Sequence, residues 1–346
     1  MINLYGKTLK PLLHHKSFFF DSNDELLKSS QEINSIYVQQ PERKKCKNCD
    51  AKLQGNSFTK QGVKYVICSN CGHLNGSHED TEKFCSSVYV DKGGENYASN
   101  YSESNKQDYD KRVCDIYIPK VEFLKKSISS LEKNPESLNY VDFGAGTGYF
   151  LSALAQEGFV NSVGYEVSKS QVDLGNLMMG GDRIFLYSKE DTVRVAQSLD
   201  ADVVTMVGVL EHLQNPREEL LALKENTSVQ YLLLSLPMFS PCVFLEMVFP
   251  NIMQRHLSAG HTHLYTEESL DWMMSEFSLE RISAWWFGVD MMDFYRMVST
   301  SLVKNPETKE IVEYWEKMFL PLMDSMQLEV DKKHMSSEVH LLLKFS

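Results

Sequence analysis

Four cysteines in this 346-residue chain have the type and spacing of a metal site. They form two C-x-x-C pairs separated by eighteen residues: Cys46, Cys49, Cys68 and Cys71. Four thiolates at this spacing are typical of tetrahedral zinc, and a closed tetrahedron leaves no position for water, so the zinc would be structural. A redox dithiol would need one such pair rather than two. His73 and Cys85 lie nearby in the sequence and are alternative ligands.

A second group of residues that could form a functional site is a set of closely spaced glycines, Gly144, Gly146 and Gly148. Residues 138–143 favour a β-strand and residues 150–155 are apolar on one face of a helix, so the glycines lie in a strand-to-helix turn. Glycine adopts backbone angles that other residues avoid, and its lack of a Cβ lets the main chain approach a ligand closely. The turn therefore predicts a nucleotide-like ligand. A NAD-type fingerprint would need glycine at position 149, where this chain has Tyr149.

The acid before the glycines, Asp142, completes the pattern acid-x-Gly-x-Gly-x-Gly. This pattern resembles the first motif of the class I S-adenosylmethionine (SAM) methyltransferases. The resemblance implies SAM as cofactor, bound by residues 142, 144, 146 and 148 and by Ala145, and a doubly wound, Rossmann-like α/β domain of seven strands. Glu166 ends a second predicted strand about twenty residues later, where a nucleotide-binding β-α-β unit places its ribose ligand.

Two further segments resemble the same methyltransferases. Residues 207–216, V-G-V-L-E-H-L-Q-N-P, are similar to their V-L-E-H-L-x-x-P segment, which implies that Val207 and Gly208 line the SAM pocket. Residues 261–270, H-T-H-L-Y-T-E-E-S-L, are similar to H-x-x-x-[FY]-T-x-x-S-L. A base that deprotonates a hydroxyl must titrate near neutral pH, as histidine does. His261 is the first candidate, followed by His263 and His212, and packing roles for all three remain open.

Other site predictions depend on the same resemblance. Glu190 or Asp191 would meet the adenine amino group, and a tyrosine segment ahead of the domain would fold over SAM, with candidates Tyr97, Tyr101 and Tyr109. Asp290 and Tyr295, close to Trp285 and Trp286, are candidate carbohydrate contacts, although core packing explains the tryptophans equally well. The apolar residues 239–252 favour a lid or a homodimer face.

Composition limits the partners. The net charge of −12, from 35 basic and 47 acidic side chains, gives no general attraction to nucleic acids or anionic membranes. A small molecule or neutral glycan is therefore the expected acceptor. The sequence has no run of about eighteen apolar residues and no signal-peptide pattern in residues 1–7, which predicts a cytoplasmic protein without a membrane span.

The chain divides into four predicted parts: an extension (1–40), a zinc-ribbon-like module (41–90), a connector (91–114) and a SAM-dependent methyltransferase domain (115–346). We expect a strand at residues 17–21 and a helix over 309–328 that Pro321 interrupts. A zinc module ahead of such a domain resembles bacterial enzymes that methylate nucleotide sugars or polysaccharides, but the additional carboxyl-terminal domain of the deoxysugar C-methyltransferases is missing. O-methylation of a sugar hydroxyl, in carbohydrate biosynthesis, is the expected reaction. The alternatives are N- or C-methylation of a small metabolite or nucleotide sugar, and a zinc-dependent scaffold with a vestigial SAM site.

Overall fold

The protein is known from a computed structural model, which describes residues 2–89, 106–258 and 261–346. Most of the predicted connector, with the candidate residues Tyr97 and Tyr101, lies outside these ranges.

The strands form two sheets. In chain order they are β1 (Ile2–Tyr5), β2 (Ser57–Lys60), β3 (Val63–Ile67), β4 (Leu74–Gly76), β5 (Tyr140–Phe143), β6 (Ser162–Glu166), β7 (Ile184–Leu186), β8 (Val203–Val207), β9 (Tyr231–Pro237), β10 (His263–Leu264), β11 (Leu279–Phe287) and β12 (Glu338–Phe345). Within the described ranges, the larger sheet has the order β1-β11-β12-β9-β8-β5-β6-β7 and the smaller one β10-β4-β3-β2.

The larger sheet is mostly parallel, and β12 runs antiparallel between β9 and β11. All residues of β5 and β9 are buried, as expected for parallel strands covered by helices on both faces. The sheet is that of a Rossmann-like α/β fold, and its carboxyl edge carries the loops after β5, β6, β8 and β9, where such sheets bind ligands.

The helices pack on the two faces of this sheet and around its edge. They are α1 (Lys10–His15), α2 (Phe18–Asp21), α3 (Asn23–Tyr37), α4 (Glu82–Tyr89), α5 (Lys106–Arg112), α6 (Ile118–Ser129), α7 (Tyr149–Gln156), α8 (Lys169–Met179), α9 (Thr192–Ser198), α10 (Pro216–Glu225), α11 (Pro241–Val248), α12 (Glu267–Glu276), α13 (Asp290–Lys304) and α14 (Val312–Asp331). Thr266 caps α12 by accepting a hydrogen bond from the Ser269 N–H, as its position before two acids indicates.

The prediction of seven strands is wrong by one, because the first residues of the chain add an edge strand. β1 pairs in parallel with β11 over Ser283–Trp286, and the Trp285 indole donates a hydrogen bond to the Gly6 carbonyl at 2.9 Å. Four residues carry too little periodicity for a strand to be recognised, and only the free edge of β11 makes the pairing favourable.

Two local predictions also need correction. The residues expected to form a strand at 17–21 form helix α2 instead, a single turn packed between α1 and α3. Helix α14 continues through Pro321 rather than stopping there. Its neighbours override the local preference, since Phe319 and Met323 pack with Leu12 and Tyr295 in one apolar cluster. None of the described helices is both long enough and apolar enough to cross a bilayer.

Candidate functional site

A cavity of about 560 Å³ opens at the carboxyl edge of the larger sheet. Nine of the predicted site residues line it: Asp142, Gly144, Ala145, Gly146, Glu166, Val207, Gly208, His212 and His261. They come from four segments: the ends of β5, β6 and β8 with the loops that follow them, and the loop before β10. The fold therefore brings the cofactor candidates and two of the three histidines to one place.

The glycine turn has the backbone that its sequence predicts. Gly144, Gly146 and Gly148 have φ values of +77°, +55° and +76°. A Cβ on Gly144 would lie 2.7 Å from the Val209 side chain, so no other residue fits without movement. Gly148 lies outside the cavity lining and instead allows close packing, because a Cβ there would lie 2.9 Å from Ile184.

The N–H groups of the turn are not directed at a ligand. Those of Gly144 and Ala145 donate to the Tyr165 carbonyl at 2.8 and 3.0 Å, and that of Gly146 donates to Glu166 Oε2 at 2.9 Å. The glycines therefore provide space for a ligand against the main chain rather than hydrogen-bond donors, which differs from the expectation for a phosphate-binding turn.

Two buried carboxylates border the turn, and together with it they form what we call the acidic wall (residues 142–146 and 166). Thr205 donates to Asp142 Oδ1 at 2.6 Å, and burial raises the pKa of Asp142 to about 7. Glu166 Oε1 accepts from the N–H groups of Val167 and Ser168, both at 2.8 Å, and burial raises its pKa as well. Both lone pairs of Oε1 are engaged, whereas Oε2 accepts one hydrogen bond, from Gly146, and can accept another from a ribose hydroxyl.

The loop after β8 meets the loop before β10 at the cavity, where Glu211, His212 and His261 bring candidate ligand atoms within 4.8 Å of one another. The rings of His212 and His261 are 5.1 Å apart. Glu211 is 5% exposed, its Oε2 has no hydrogen-bond partner among the described residues, and burial raises its pKa to about 8. This spacing suits proton transfer, and it would also admit a divalent cation.

The orientation of His261 determines which nitrogen can act. Its Nδ1 lies 2.9 Å from the His256 carbonyl, which can only accept, so Nδ1 carries the proton and Nε2 keeps its lone pair. Burial lowers the pKa of His261 to about 4, below the near-neutral value expected from its residue type. The imidazole is therefore unprotonated at neutral pH, although it is a weaker base than an exposed histidine.

His263 does not share this environment. It lies in β10, is 1% exposed, and its Nδ1 is 2.8 Å from Nε2 of His73, which is also buried. Burial lowers the pKa of both rings, to about 3 for His73. His263 packs between the smaller sheet and α12, outside the cavity lining, so its position favours a packing role.

The four cysteines form one buried cluster. The Sγ atoms of Cys46 and Cys71, and those of Cys49 and Cys68, are each 3.7 Å apart. Zinc bound to sulfur at about 2.3 Å requires tetrahedral edges of about 3.8 Å, so the geometry fits the ion. Asn75 donates to Cys46 Sγ at 3.4 Å, as expected of a residue that orients a thiolate ligand. Neither His73 nor Cys85 belongs to this cluster.

The cysteine-bearing segment is joined to the cavity loops. β10 pairs with β4, and the Gly76 N–H donates to the Thr262 carbonyl at 2.7 Å, next to His261. Lys47, between the first two cysteines, donates to the Leu213 carbonyl at 2.9 Å, next to His212. The cysteine-bearing segment and the smaller sheet therefore fix the residues next to both cavity histidines, Leu213 beside His212 and Thr262 beside His261.

Basic residues that the sequence analysis missed line the cavity as well: Lys7, Lys16, Lys120 and Arg255. We call this group the basic wall. Lys120 Nζ lies 3.4 Å from Glu338 Oε1, and Arg255 forms an ion pair of 2.7 Å with Asp293. These residues follow no motif, and two of them come from the extension whose role the sequence left open, so no sequence signal could have grouped them.

Several other predicted contacts lie elsewhere. Asp290 is fully buried and accepts from Ser240 Oγ at 2.6 Å, and the Tyr295 hydroxyl donates to Glu316 at 2.9 Å. Trp285 and Trp286 are core residues. The expected carbohydrate platform at these positions is therefore wrong: β11 and α13 turn them inward or toward neighbouring helices.

Of the remaining cofactor candidates, Glu190 lines the cavity after β7, whereas Asp191 pairs with Arg194 at 2.8 Å. The buried Tyr109 donates to the Thr147 carbonyl at 2.9 Å, so it supports the glycine turn from behind rather than covering the cavity. Residues 239–252, the expected lid or dimer face, lie outside the lining, and Phe244 and Val248 are exposed on α11.

Comparison with known proteins gives a match to one family model and several similar folds. Residues 117–284 match the model of a methyltransferase domain. A search of curated proteins finds no match. Among solved structures, plantazolicin methyltransferase BpumL in complex with SAH is 12% identical, covering 76% of this chain and 94% of that one with a TM-score of 0.46. The methyltransferase domain of bacterial CtHen1 is 16% identical, covering 70% and 100%, with a TM-score of 0.41.

A third similar structure is magnesium protoporphyrin IX methyltransferase from Synechocystis PCC 6803 with bound SAH. It is 14% identical, covers 58% of this chain and 90% of that one, and has a TM-score of 0.43. The matched residues 117–284 include the glycine turn, both carboxylates and the two cavity histidines. The chain therefore carries a class I SAM-dependent methyltransferase domain, and the protein is a SAM-dependent methyltransferase.

Proposed function

We propose that this enzyme transfers the SAM methyl group to a hydroxyl of a small-molecule acceptor, a sugar in the first instance, with His261 as the base. The observation that carries the proposal is the imidazole of His261, which lines the cavity with Nδ1 bonded to the His256 carbonyl and Nε2 unprotonated. A hydroxyl that attacks a methyl group must lose its proton, and a base within hydrogen-bond reach provides this.

The acidic wall is the proposed SAM site. Gly144, Ala145 and Gly146 leave room for the adenosyl group, Glu166 accepts hydrogen bonds from the ribose hydroxyls, and Val207 and Gly208 border the sulfonium end. Asp142 stabilises the turn through Thr205. When bound, SAM supplies the methyl group, and the chain's residues position the acceptor hydroxyl for in-line attack and take up its proton.

We further propose that the four cysteines hold a structural zinc ion and that the residues around them form a module which positions the cavity loops. The pairing of β4 with β10 and the hydrogen bond from Lys47 to Leu213 support this role. The zinc has no open position in this proposal, and it takes no part in the reaction. A homodimer through the exposed face of α11 remains a prediction.

The proposal is tested with a panel of sugar nucleotides and methyl-labelled SAM, followed by replacement of His261. His261→Ala should lower kcat by about 10²- to 10⁴-fold, the usual contribution of a positioned base, with SAM affinity unchanged. His14→Ala, at an exposed histidine in α1, is the matched control and should leave kcat unchanged.

Unchanged turnover in His261→Ala would contradict the hydroxyl proposal. It would favour N-methylation, since a neutral amine attacks without losing its proton first. Loss of activity on treatment with a metal chelator, with restoration by Mg²⁺ but not by zinc, would instead indicate that Glu211, His212 and His261 act through a bound ion, since restoration by zinc is expected of the cysteine site.

A further inference from the structure

Two lysines of the amino-terminal extension line the cavity without a carboxylate partner. Among the described residues, no Asp or Glu oxygen lies within 4.0 Å of the ammonium group of Lys7 or Lys16. Lys7 Nζ lies 3.9 Å from the centre of the Phe287 ring, at the end of β11. Because β1 and α1 pack against β11 and α14, the extension delivers both side chains to the cavity.

Two fully buried lysines are paired, whereas Lys7 and Lys16 are half-buried and open to the cavity. Lys47 forms an ion pair with Asp80, and Lys60 lies 3.0 Å from Glu246. A charge withdrawn from water normally has such a partner, because desolvation without one is costly. Lys7 and Lys16 are exceptions to this pattern, and both are at the cavity surface.

The side chains around these two lysines include more basic groups than carboxylates. The basic wall contains four cations, and the two carboxylates bonded to it, Glu338 and Asp293, leave an excess of positive charge. Burial lowers the pKa of Lys7 to about 8 and that of Lys16 well below its ordinary value; Arg255 lowers both further, and the Glu338 carboxylate opposes the shift. An anion bound between the lysines would favour the charged form of both ammonium groups.

We propose that Lys7 and Lys16 bind a phosphate or diphosphate group carried by the acceptor, which places the acceptor hydroxyl beside His261. This inference rests on the proposed function for the position of the reacting hydroxyl. Two ammonium groups on flexible stems act as point charges and suit a phosphate, which has several acceptor oxygens and up to two negative charges. The acceptor class is therefore a phosphorylated sugar or a nucleoside-diphosphate sugar rather than a neutral glycan.

The test is calorimetric titration of the full-length protein, saturated with S-adenosylhomocysteine, with inorganic pyrophosphate. The unmodified protein should bind pyrophosphate, and the Lys7→Gln/Lys16→Gln double variant should bind it at least about tenfold more weakly. Lys10→Gln removes an exposed lysine of the same extension and should bind like the unmodified protein. If the double variant is unstable, Lys16→Gln alone should still weaken binding several-fold.

Three results would overturn the inference: no pyrophosphate binding by the unmodified protein, equal binding by the lysine variants, or tighter binding of citrate than of pyrophosphate. A loss of S-adenosylhomocysteine affinity with unchanged pyrophosphate binding would also overturn it, because the lysines would then hold the cofactor. Failure of the hydroxyl proposal is seen separately in the turnover of His261→Ala.

Discussion

The acidic wall of the cavity comes from one stretch of about twenty-five residues, whereas the basic wall is assembled from segments spread between Lys7 and Arg255. Residues 142–146 and Glu166 belong to a single β-α-β unit, so their distance is set by local geometry. Lys7, Lys16, Lys120 and Arg255 meet only because β1 adds to the edge of the sheet and α6 and the loop after α11 pack beside it.

This difference predicts that the proposed cofactor side, formed by the acidic wall, and the proposed acceptor side, formed by the basic wall, can be changed separately. The acidic wall depends on backbone conformation, which few substitutions preserve, whereas Lys7 and Lys16 of the basic wall contribute side-chain charge that no carboxylate of the described residues pairs with. The two cavity histidines lie next to Leu213 and Thr262, whose carbonyls accept hydrogen bonds from the cysteine-bearing segment. Variants in the acidic wall, in the basic wall and near the cavity histidines should therefore change different quantities: SAM affinity, anion affinity and turnover, respectively.

The largest expected effect is on the acidic wall. Gly146→Val places a branched side chain at φ +55° in the lining of the cavity, so SAM affinity should fall at least about 100-fold, measured by calorimetry. Gly181→Ala, at a position with open space around it, is the control and should bind SAM normally. Retained SAM affinity in a folded Gly146→Val protein would break the assignment of this wall to the cofactor.

An intermediate effect is expected from the cysteines. Cys46→Ser/Cys68→Ser should unfold the zinc module and lower turnover about tenfold or more, because the loops bearing His212 and His261 lose their support, while SAM affinity changes little. Cys114→Ser, at an exposed cysteine, should change neither. Elemental analysis should find about one zinc per chain in the unmodified protein. A content well below one, or full turnover in the double variant, would contradict this role.

The last prediction concerns the pH dependence of stability rather than ligand affinity or turnover. The pKa of Glu211 is raised by burial from 4.5 to about 8, so the folded state keeps a proton that the unfolded chain loses in this interval. Stability should therefore fall as pH rises through this window. Glu211→Gln removes the ionisation, and its free energy of unfolding relative to the unmodified protein should increase by about 4 kcal/mol between about pH 5 and pH 8.5.

Urea unfolding at both pH values measures this change. Glu122→Gln, at an exposed glutamate of α6, should show no such difference between the two pH values. Because Asp142 and Asp331 also have pKa values raised to about 7, only the difference between variant and unmodified protein is informative. An equal pH dependence in both would show that Glu211 is ionised in the cavity.

The sequence by itself determined the residues that we propose for the cofactor side of this enzyme. The spacing of Asp142, the three glycines and Glu166 encodes a turn whose backbone angles and close contacts only glycine satisfies, and the cysteine spacing groups four thiols. Tertiary structure decided the rest. His261 lines the cavity and His263 does not. Asp290 and Tyr295 are buried outside it, whereas Lys7 and Lys16 line it. The physical reason is that the turn is closed by hydrogen bonds within one local unit, whereas the acceptor side forms only where distant segments pack together.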